Sequence, residues 1–346
     1  SYNHEKFIAQ AIDGALAQTY PNLEILFSDD HSTDRTYEIM CEKVANYAGP
    51  HHIILNCNET NLGITRHLNK IVAMGTGEWF VLCAGDDISL PHRVEFIMRQ
   101  VMRNPSVHAV NTGYELIDQD DRHGNRIGFA EGHLVPLGAT GAWHRKVFDF
   151  FGPLQHATVG EDEIIPFRAV LLGNLLLVNE PTIYYRQHTD SISNPTISDK
   201  VGALKHLKKL HVSRIGSSSQ RILDLRKAYE NNYIAQADYE YLLARHQQLL
   251  RELEAQIEDL DRTIGIYESD LSGKIRYLFD TRLRHKHASF LYRLRIFLLS
   301  YDWIYALNRR KEQAGSHPAK RYVSNDPILI DVSRLRNRET NLLMWQ

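Results

Sequence analysis

Leu82-Cys83-Ala84-Gly85-Asp86-Asp87 follows the apolar run Trp79-Phe80-Val81-Leu82 and is closed by Ile88-Ser89-Leu90-Pro91. The apolar run reads as a buried strand, and Arg93 to Asn104 reads as a helix. Two adjacent carboxylates beside a glycine, where a buried strand ends, are costly unless something uses them. Ligands of open α/β sheets bind beyond the carboxyl ends of the strands. Paired carboxylates there suit a hard divalent cation that carries a substrate phosphate. The competing reading is that Asp86 or Asp87 merely caps the next helix.

Working back from this stretch, helical and strand patterns alternate. Phe7, Ile8, Ala11, Ile12, Ala15 and Leu16 recur at helical spacing. Leu23 to Ser28 reads as a strand ending in a second acidic pair, Asp29-Asp30. A helix then starts with Ser32 or Thr33 as its cap and Asp34 in its first turn. Ile53-Ile54-Leu55 is a short strand, Asn58 to Gly63 a polar loop, and Ile64 to Met74 a helix. This alternation predicts an α/β fold with a mostly parallel sheet and crossover helices. Two acidic pairs at corresponding strand ends would put four carboxylates along one sheet edge, which packing does not require. A nucleotide with a metal-bound diphosphate would account for them.

The 346 residues suggest more than one domain, and 43% hydrophobic content is ample for a core. A net charge of −2 gives no global signal for nucleic acid. Cys41, Cys57 and Cys83 are scattered, which points to a reducing, cytoplasmic setting rather than a disulfide framework. No run of about 18 apolar residues lacks charge, so no transmembrane helix is expected. The chain opens Ser1-Tyr2-Asn3-His4 without methionine and goes straight into a helix, so a preceding segment is expected.

The segment from Ser1 to about Asn194 resembles the inverting, GT-A-fold nucleotide-sugar glycosyltransferases of family two. The resemblance rests on Ser1-Tyr2-Asn3, Gln18 to Ile25, Asp29-Asp30-His31-Ser32-Thr33-Asp34-Arg35-Thr36, Asn61-Leu62-Gly63, Asn69, Gly77-Glu78-Trp79, and Gly85-Asp86-Asp87 with Leu90-Pro91. These fall in family order. Two departures stand out: the family's first strand would lie upstream of Ser1, and Ala84 replaces the usual opening aspartate of the metal motif.

The resemblance implies a donor site of Tyr2, Asn3, Asp29, Asp30, Asn61, Gly63, Arg66 and Asp86. It implies Mg²⁺ or Mn²⁺ held by Asp86 or Asp87, with His188 as a further metal ligand or phosphate contact. Gly160-Glu161-Asp162-Glu163 opens an apolar helix, and acidic residues there also suit a helix dipole. In the family this position supplies the catalytic base, which matches Asp162, with Glu161 beside it. The implied reaction is inverting transfer of a sugar from a nucleoside diphosphate sugar, with a lean to uridine, onto a hydroxyl of a glycan or lipid-linked acceptor. The expected setting is cell-surface polysaccharide synthesis. The Arg186-Gln187-His188 end of a strand lies close in sequence order to this acidic cluster.

Further along, Val107 to Ile117 reads as a strand and Asp118 to Asn125 as a polar hairpin or loop without the spaced ligands of an EF-hand. Gly138 to Ala142 is a run of small residues. The sheet pattern stops near Ser198, giving domains at 1–197, 198–272 and 273–346. Leu204 to Tyr241 is helical. A heptad follows, with Leu243, Leu250, Ile257, Ile264 and Leu271 at position a and His246, Leu253, Leu260 and Tyr267 at position d. This fits a dimerising coiled coil or an antiparallel helical hairpin within the chain. Lys274 to Tyr322 holds twelve Lys or Arg against three Asp or Glu, interleaved with aromatics. That composition suits a peripheral contact with an anionic membrane.

Two rival readings follow from the same residues. A sugar nucleotidyltransferase would need a glycine-rich loop after a first strand. An inactive sugar-nucleotide-binding scaffold, with a coiled coil and membrane tail, would tolerate Ala84.

Overall fold

The computed structural model describes residues 1–129, 136–155, 160–188, 199–270, 272, 275 and 327–336. The basic, aromatic stretch read as a membrane contact lies almost wholly outside them. The chain forms two compact units, one of Ser1–Asn194, Gly216–Gln247 and Tyr322–Gln346, the other of Pro195–Ile215 and Gln248–Arg321. Within the first unit, residues 328–330 pair with the sheet.

In the first unit, α1 (Ile8–Leu16), β1 (Glu24–Asp29), α2 (Thr36–Ala45), β2 (His52–Cys57), α3 (Ile64–Met74) and β3 (Trp79–Val81) follow the predicted alternation. Next come β4 (Ile88–Ser89), α4 (Arg93–Arg103), β5 (Val107–Asp118), β6 (His123–Ile127), β7 (Gly141–His144), α5 (Lys146–Phe151), α6 (Glu161–Leu172) and β8 (Asn174–Gln187). β1 and β2 pair in parallel. The larger sheet runs β3-β7-β5-β8-β4, with β6 on β5 and β9 (Ile328–Ile330) on β8. Only β5 and β8 are parallel there; its other pairs are antiparallel. The sheet is thus mixed rather than mostly parallel. The cause is the hairpin and the short returning strands β4, β7 and β9, which periodicity alone does not reveal.

The main core packs α5 and α6 on the sheet: Trp143, Ile165, Phe167, Leu175 and Leu177 are buried. Burial of such side chains stabilises by roughly 1.5–3 kcal/mol each. A cavity of about 480 Å³ lies between α1, β1, α3 and β3, lined by Ile12, Phe27, Leu68 and Phe80 among others. β1 and β3 belong to different sheets. The Ser1 amino group donates to the Ser28 carbonyl at 2.7 Å, and Ser1 O accepts from Asp30 N–H at 2.8 Å, a ladder-like pairing beside β1.

α2 starts at Thr36, later than its expected cap. Asp34 Oδ1 accepts from the Thr36 amide at 3.0 Å, while Ser32 and Thr33 are engaged by Asp29 and Asn3.

The helical region forms α7 (Lys200–Glu230) and α8 (Gln236–Glu268). In the second unit, Lys208 pairs with Asp261, Lys205 Nζ lies 2.7 Å from Glu268 Oε1, and Lys200 sits over the Tyr267 ring. These pairings fix an antiparallel hairpin. The described heptad positions are all buried or half-buried. α9 (Val332–Arg336) ends the described residues and buries Leu335. Among the described residues no helix is long and apolar enough to cross a membrane.

Candidate active site

β3 ends at Val81, and the chain turns through Gly85-Asp86-Asp87 into β4. α4 is capped at His92, so neither aspartate serves as its cap. Gly85 is required by close approach: a Cβ there would meet His4 Nδ1 at 2.6 Å and Ser1 Cβ at 2.8 Å. The absent side chain lets the opening residues lie on the acidic turn.

Asp86 Oδ2 lies 3.1 Å from His188 Nε2 and 3.9 Å from His4 Nε2. Asp87 is 6% exposed, accepts the Arg186 amide at 2.8 Å through Oδ1, and has no partner for Oδ2 among the described residues. Burial, and then the charge of Asp86, push its carboxyl up to about 8. A buried carboxylate oxygen without a partner costs free energy that a bound cation would offset. Asp86, Asp87 and His188 offer oxygen and imidazole donors that suit a divalent cation. Among the described residues no three such side chains converge into a closed cage. A cation held here would therefore complete its shell with ligand oxygens, the usual arrangement for Mg²⁺ on a diphosphate.

Arg186, 1% exposed, bolts this turn in place. Its Nε donates to Asp86 O at 2.9 Å, Nη1 to Asp121 Oδ1 at 2.6 Å, and Nη2 to Gln10 Oε1 at 2.8 Å. The guanidinium sits 4.8 Å from the Phe7 ring centroid. One side chain of β8 thus joins α1, the acidic turn and the β5–β6 turn. Arg93, also buried, donates through Nη2 to Leu82 O and Ala139 O, both at 2.8 Å. It ties the end of β3 to the small-residue segment before β7.

The other acidic pair is organised differently. Asp29 is fully buried and accepts from Ser32 N–H at 2.8 Å and from Ser32 Oγ–H at 2.5 Å. Asp30 is 4% exposed and accepts from Asn58 Nδ2 and from the Leu62 and Gly63 amides at 2.7–2.9 Å. Burial works to raise its carboxyl, but the three donors outweigh burial and hold it below the usual range. Asp29 is thereby committed to the turn after β1, and Asp30 to the loop between β2 and α3. His67, on α3, lies 2.6 Å from Ser28 Oγ and 3.9 Å from Asp30 Oδ2. Asn3 Oδ1 accepts from Thr33 N–H at 2.9 Å, and Tyr2 is 43% exposed. Asn61 Oδ1 accepts from Gly63 N–H at 3.0 Å. Tyr2, Asn3, Asp29, Asp30, Asn61 and Gly63 are thus gathered near the end of β1, and Arg66 is exposed on the first turns of α3.

α6 opens with Glu161, Asp162 and Glu163 after Gly160. Asp162 lies beside Gly138 and, through it, the end of β3: a Cβ built at Gly138 would be 3.5 Å from Asp162 Cβ and 3.9 Å from Leu82 Cδ2. Burial, then the like charges of Glu161 and Glu163, push the Asp162 carboxyl up to about 8. Glu161 is raised as well, chiefly by burial. A carboxyl displaced this far toward neutrality in a partly open position is a candidate proton acceptor. A cap alone would not need it: no side-chain hydrogen bond caps this helix.

Several buried residues here were not singled out from the sequence, namely Arg93, His67, Arg168, Arg221 and Asp224. A signal exists only for α7, where Ser217, Gln220, Arg221 and Asp224 fall at helical spacing and are all at most 2% exposed. Pattern reading takes such a polar stripe for a solvated face.

Residues 1–155 match the model for Glycosyl transferase family 2. Among curated proteins, EpsE of Bacillus subtilis (strain 168), whose name assigns it provisionally to the glycosyltransferases, is 33% identical over 126 residues. That covers 36% of this chain and 45% of EpsE. The uncharacterized glycosyltransferase alr2836 of Nostoc sp. (strain PCC 7120 / SAG 25.82 / UTEX 2576) is 24% identical over 258 residues, covering 69% of this chain and 75% of that protein. Among solved structures, S. aureus TarS 1–349 in complex with UDP-GlcNAc aligns with a TM-score of 0.49 and 14% identity, over 94% of this chain and 93% of that one. The chain spans less than half the length of EpsE. Residues 1–155, which carry the acidic turn and the loops around β1, are thus similar to Glycosyl transferase family 2.

Proposed function

We propose that this protein transfers a sugar, with inversion, from a nucleoside diphosphate sugar to an acceptor hydroxyl. The observation that carries this reading is the presence of two separate acidic sites at one end of β3. One is the Asp86–His188 contact with the partnerless oxygen of Asp87; the other is Asp162, displaced to about 8.

In this reading the turn after β1, with Asp29 and Asp30, and the adjoining β2–α3 loop, with Asn61 and Gly63, receive the nucleotide, with Tyr2 and Asn3 at their rim. Mg²⁺ or Mn²⁺ held by Asp86, with Asp87 and His188 beside it, would neutralise charge developing on the departing diphosphate. Asp162 takes the acceptor proton as the acceptor oxygen forms its bond to the anomeric carbon. The bond from that carbon to the diphosphate breaks on the opposite face. General-base assistance of this kind contributes about 10²–10⁴-fold. One base without an enzyme nucleophile gives inversion in a single displacement. The donor is assigned to the uridine class, and the acceptor to a glycan or lipid-linked hydroxyl. The cationic composition of 274–322 supports an acceptor at an anionic membrane surface.

The test is calorimetric titration with UDP and GDP, each with and without Mn²⁺, followed by transfer assays on Asp162→Asn. The reading predicts metal-dependent binding of one nucleotide by wild type and by Asp162→Asn, with transfer lost in the variant. Absence of binding by the folded wild type would favour the scaffold reading. Strong residual transfer by Asp162→Asn would remove that residue from the base role.

A further inference from the structure

The acidic start of α6 is held from outside the matched domain. α7 enters the first compact unit at Gly216, and its Ser217, Gln220, Arg221 and Asp224 lie on one face, each buried. Gly160, at φ 156°, has room for no side chain, because a Cβ there would collide with Ser217 Oγ. Gln220 Oε1 accepts from the Gln155 amide at 2.9 Å. Asp224 accepts from Arg168 Nε at 2.8 Å and Nη2 at 3.1 Å, and Arg168 Nη1 donates to Gly152 O at 2.8 Å. Arg221 is 1% exposed; its Nη2 donates to Glu163 O at 3.3 Å and to Glu163 Oε2 at 3.1 Å. Its guanidinium lies 5.6 Å from the Phe167 ring centroid.

We infer that Arg221 is a positioning residue for transfer: from α7 it fixes the first turn of α6 and supplies the positive charge that keeps Asp162 available as a base. The inference rests on the assignment of Asp162 as the base in the proposed function. A buried guanidinium is expensive unless its charge is used. Here three carboxylates open one helix, and Arg221 is the cation that α7 delivers to them. The groups facing Asp162 are Glu161 and Glu163 on its own helix and Arg221 on α7. Gly138 and Leu82, which lie beside it, bear no charge. Arg221 in turn faces Glu163 and Asp224, and His246 of α8 lies near it. Asp224 is also engaged by Arg168, and the α6 carboxylates Glu163 and Asp162 act on Arg221 ahead of it. The carboxylate charges of Glu161 and Glu163 raise Asp162, whereas Arg221 opposes them.

The test follows the Asp162 carboxyl directly, by ¹³C NMR titration of aspartate-labelled protein, with the signal assigned by its loss in Asp162→Asn. Arg221→Gln keeps a donor for the Glu163 carbonyl and removes the charge; Arg221→Lys keeps the charge. The expected result is an upward-shifted Asp162 midpoint in Arg221→Gln and a near wild-type midpoint in Arg221→Lys. Donor turnover with Mn²⁺ and UDP-GlcNAc, UDP-glucose or GDP-mannose should fall about tenfold at pH 7 in Arg221→Gln and recover as pH rises, since one pH unit is a factor of ten in free base. A purely structural role would lower turnover equally at every pH and leave the midpoint unmoved; that result overturns the inference. Where Arg221→Gln does not fold, Arg221→Met replaces it: the charge is removed while an apolar stem still packs on Phe167, and the Asp162 midpoint must rise as for Arg221→Gln; an unmoved midpoint again overturns the inference. Full turnover by Asp162→Asn would instead defeat the base assignment, and the titration outcome would stand apart from it.

Discussion

His188 Nε2 lies 3.1 Å from Asp86 Oδ2, although 102 residues separate them in the chain. β8 brings them together. It pairs with β4 just after the acidic turn, Ile88 opposite Tyr184, and so carries its own last residues back to Asp86. Proposed donor binding depends on this contact. His188→Ala is expected to weaken Mn²⁺-dependent nucleotide binding by about 10–100-fold, the usual worth of a residue that ligates or orients a metal ligand. Binding without Mn²⁺ should change little. Calorimetry with UDP and GDP at fixed Mn²⁺ measures both.

Gly85 offers a test that changes no charge. Gly85→Ala puts a methyl against His4 and Ser1, so residues 1–4 must shift off the acidic turn. The expected outcome is a loss of nucleotide affinity of about tenfold, with the thermal unfolding midpoint nearly retained. Equal affinity in the two proteins would show that the opening residues take no part in binding.

The Arg168–Asp224 pair is buried on both sides, at 0% and 3% side-chain exposure. Burial pushes the Asp224 carboxyl up, and Arg168 opposes that shift. Arg168→Met leaves the aspartate without its partner and should cost about 3–5 kcal/mol in urea unfolding. Arg168→Met with Asp224→Leu should recover much of that loss, because two apolar groups replace a desolvated ion pair.

His67 predicts a pH dependence of stability. Burial lowers its imidazole from 6.5 to about 4. The unfolded chain therefore binds the proton more readily than the folded one between these values. The stability this represents is fully present above pH 6.5 and is lost as pH falls through 4, about 3 kcal/mol in all. Asp87 and Asp162, raised to about 8, act in the opposite direction over this range, so the His67 share is read as a difference: in denaturant unfolding from pH 7 to pH 4, the stability of wild type relative to His67→Asn should fall as pH falls.

Much of the first unit was legible because its signals are local. The apolar spacing of Ile8 to Leu16, the run ending in Asp29-Asp30, and the strand leading to Gly85-Asp86-Asp87 each fix an element through side chains a few residues apart. The ordered motifs gave the family as well. Sheet direction was not legible in the same way. Whether a strand runs parallel or antiparallel depends on its neighbour, and β4, β7 and β9 are two to four residues long, too short to carry a period.

The heptad from Leu243 shows the same limit. Sequence determined that α8 has an apolar seam, while tertiary structure decided that Lys200, Lys205 and Lys208 of α7 meet Tyr267, Glu268 and Asp261 of α8 in an antiparallel hairpin. A seam specifies that a partner is needed but not which one. The sequence by itself thus determined the elements, their order and the acidic residues that carry chemistry. Only the tertiary structure decided that Asp29 spends its hydrogen-bonding capacity on the turn after β1 and Asp30 on the β2–α3 loop, that Arg186 locks Asp86 and Asp87, and that a polar stripe on α7 is buried against the start of α6. Those outcomes depend on which charges meet after folding, and pairing between distant residues leaves no mark in local spacing.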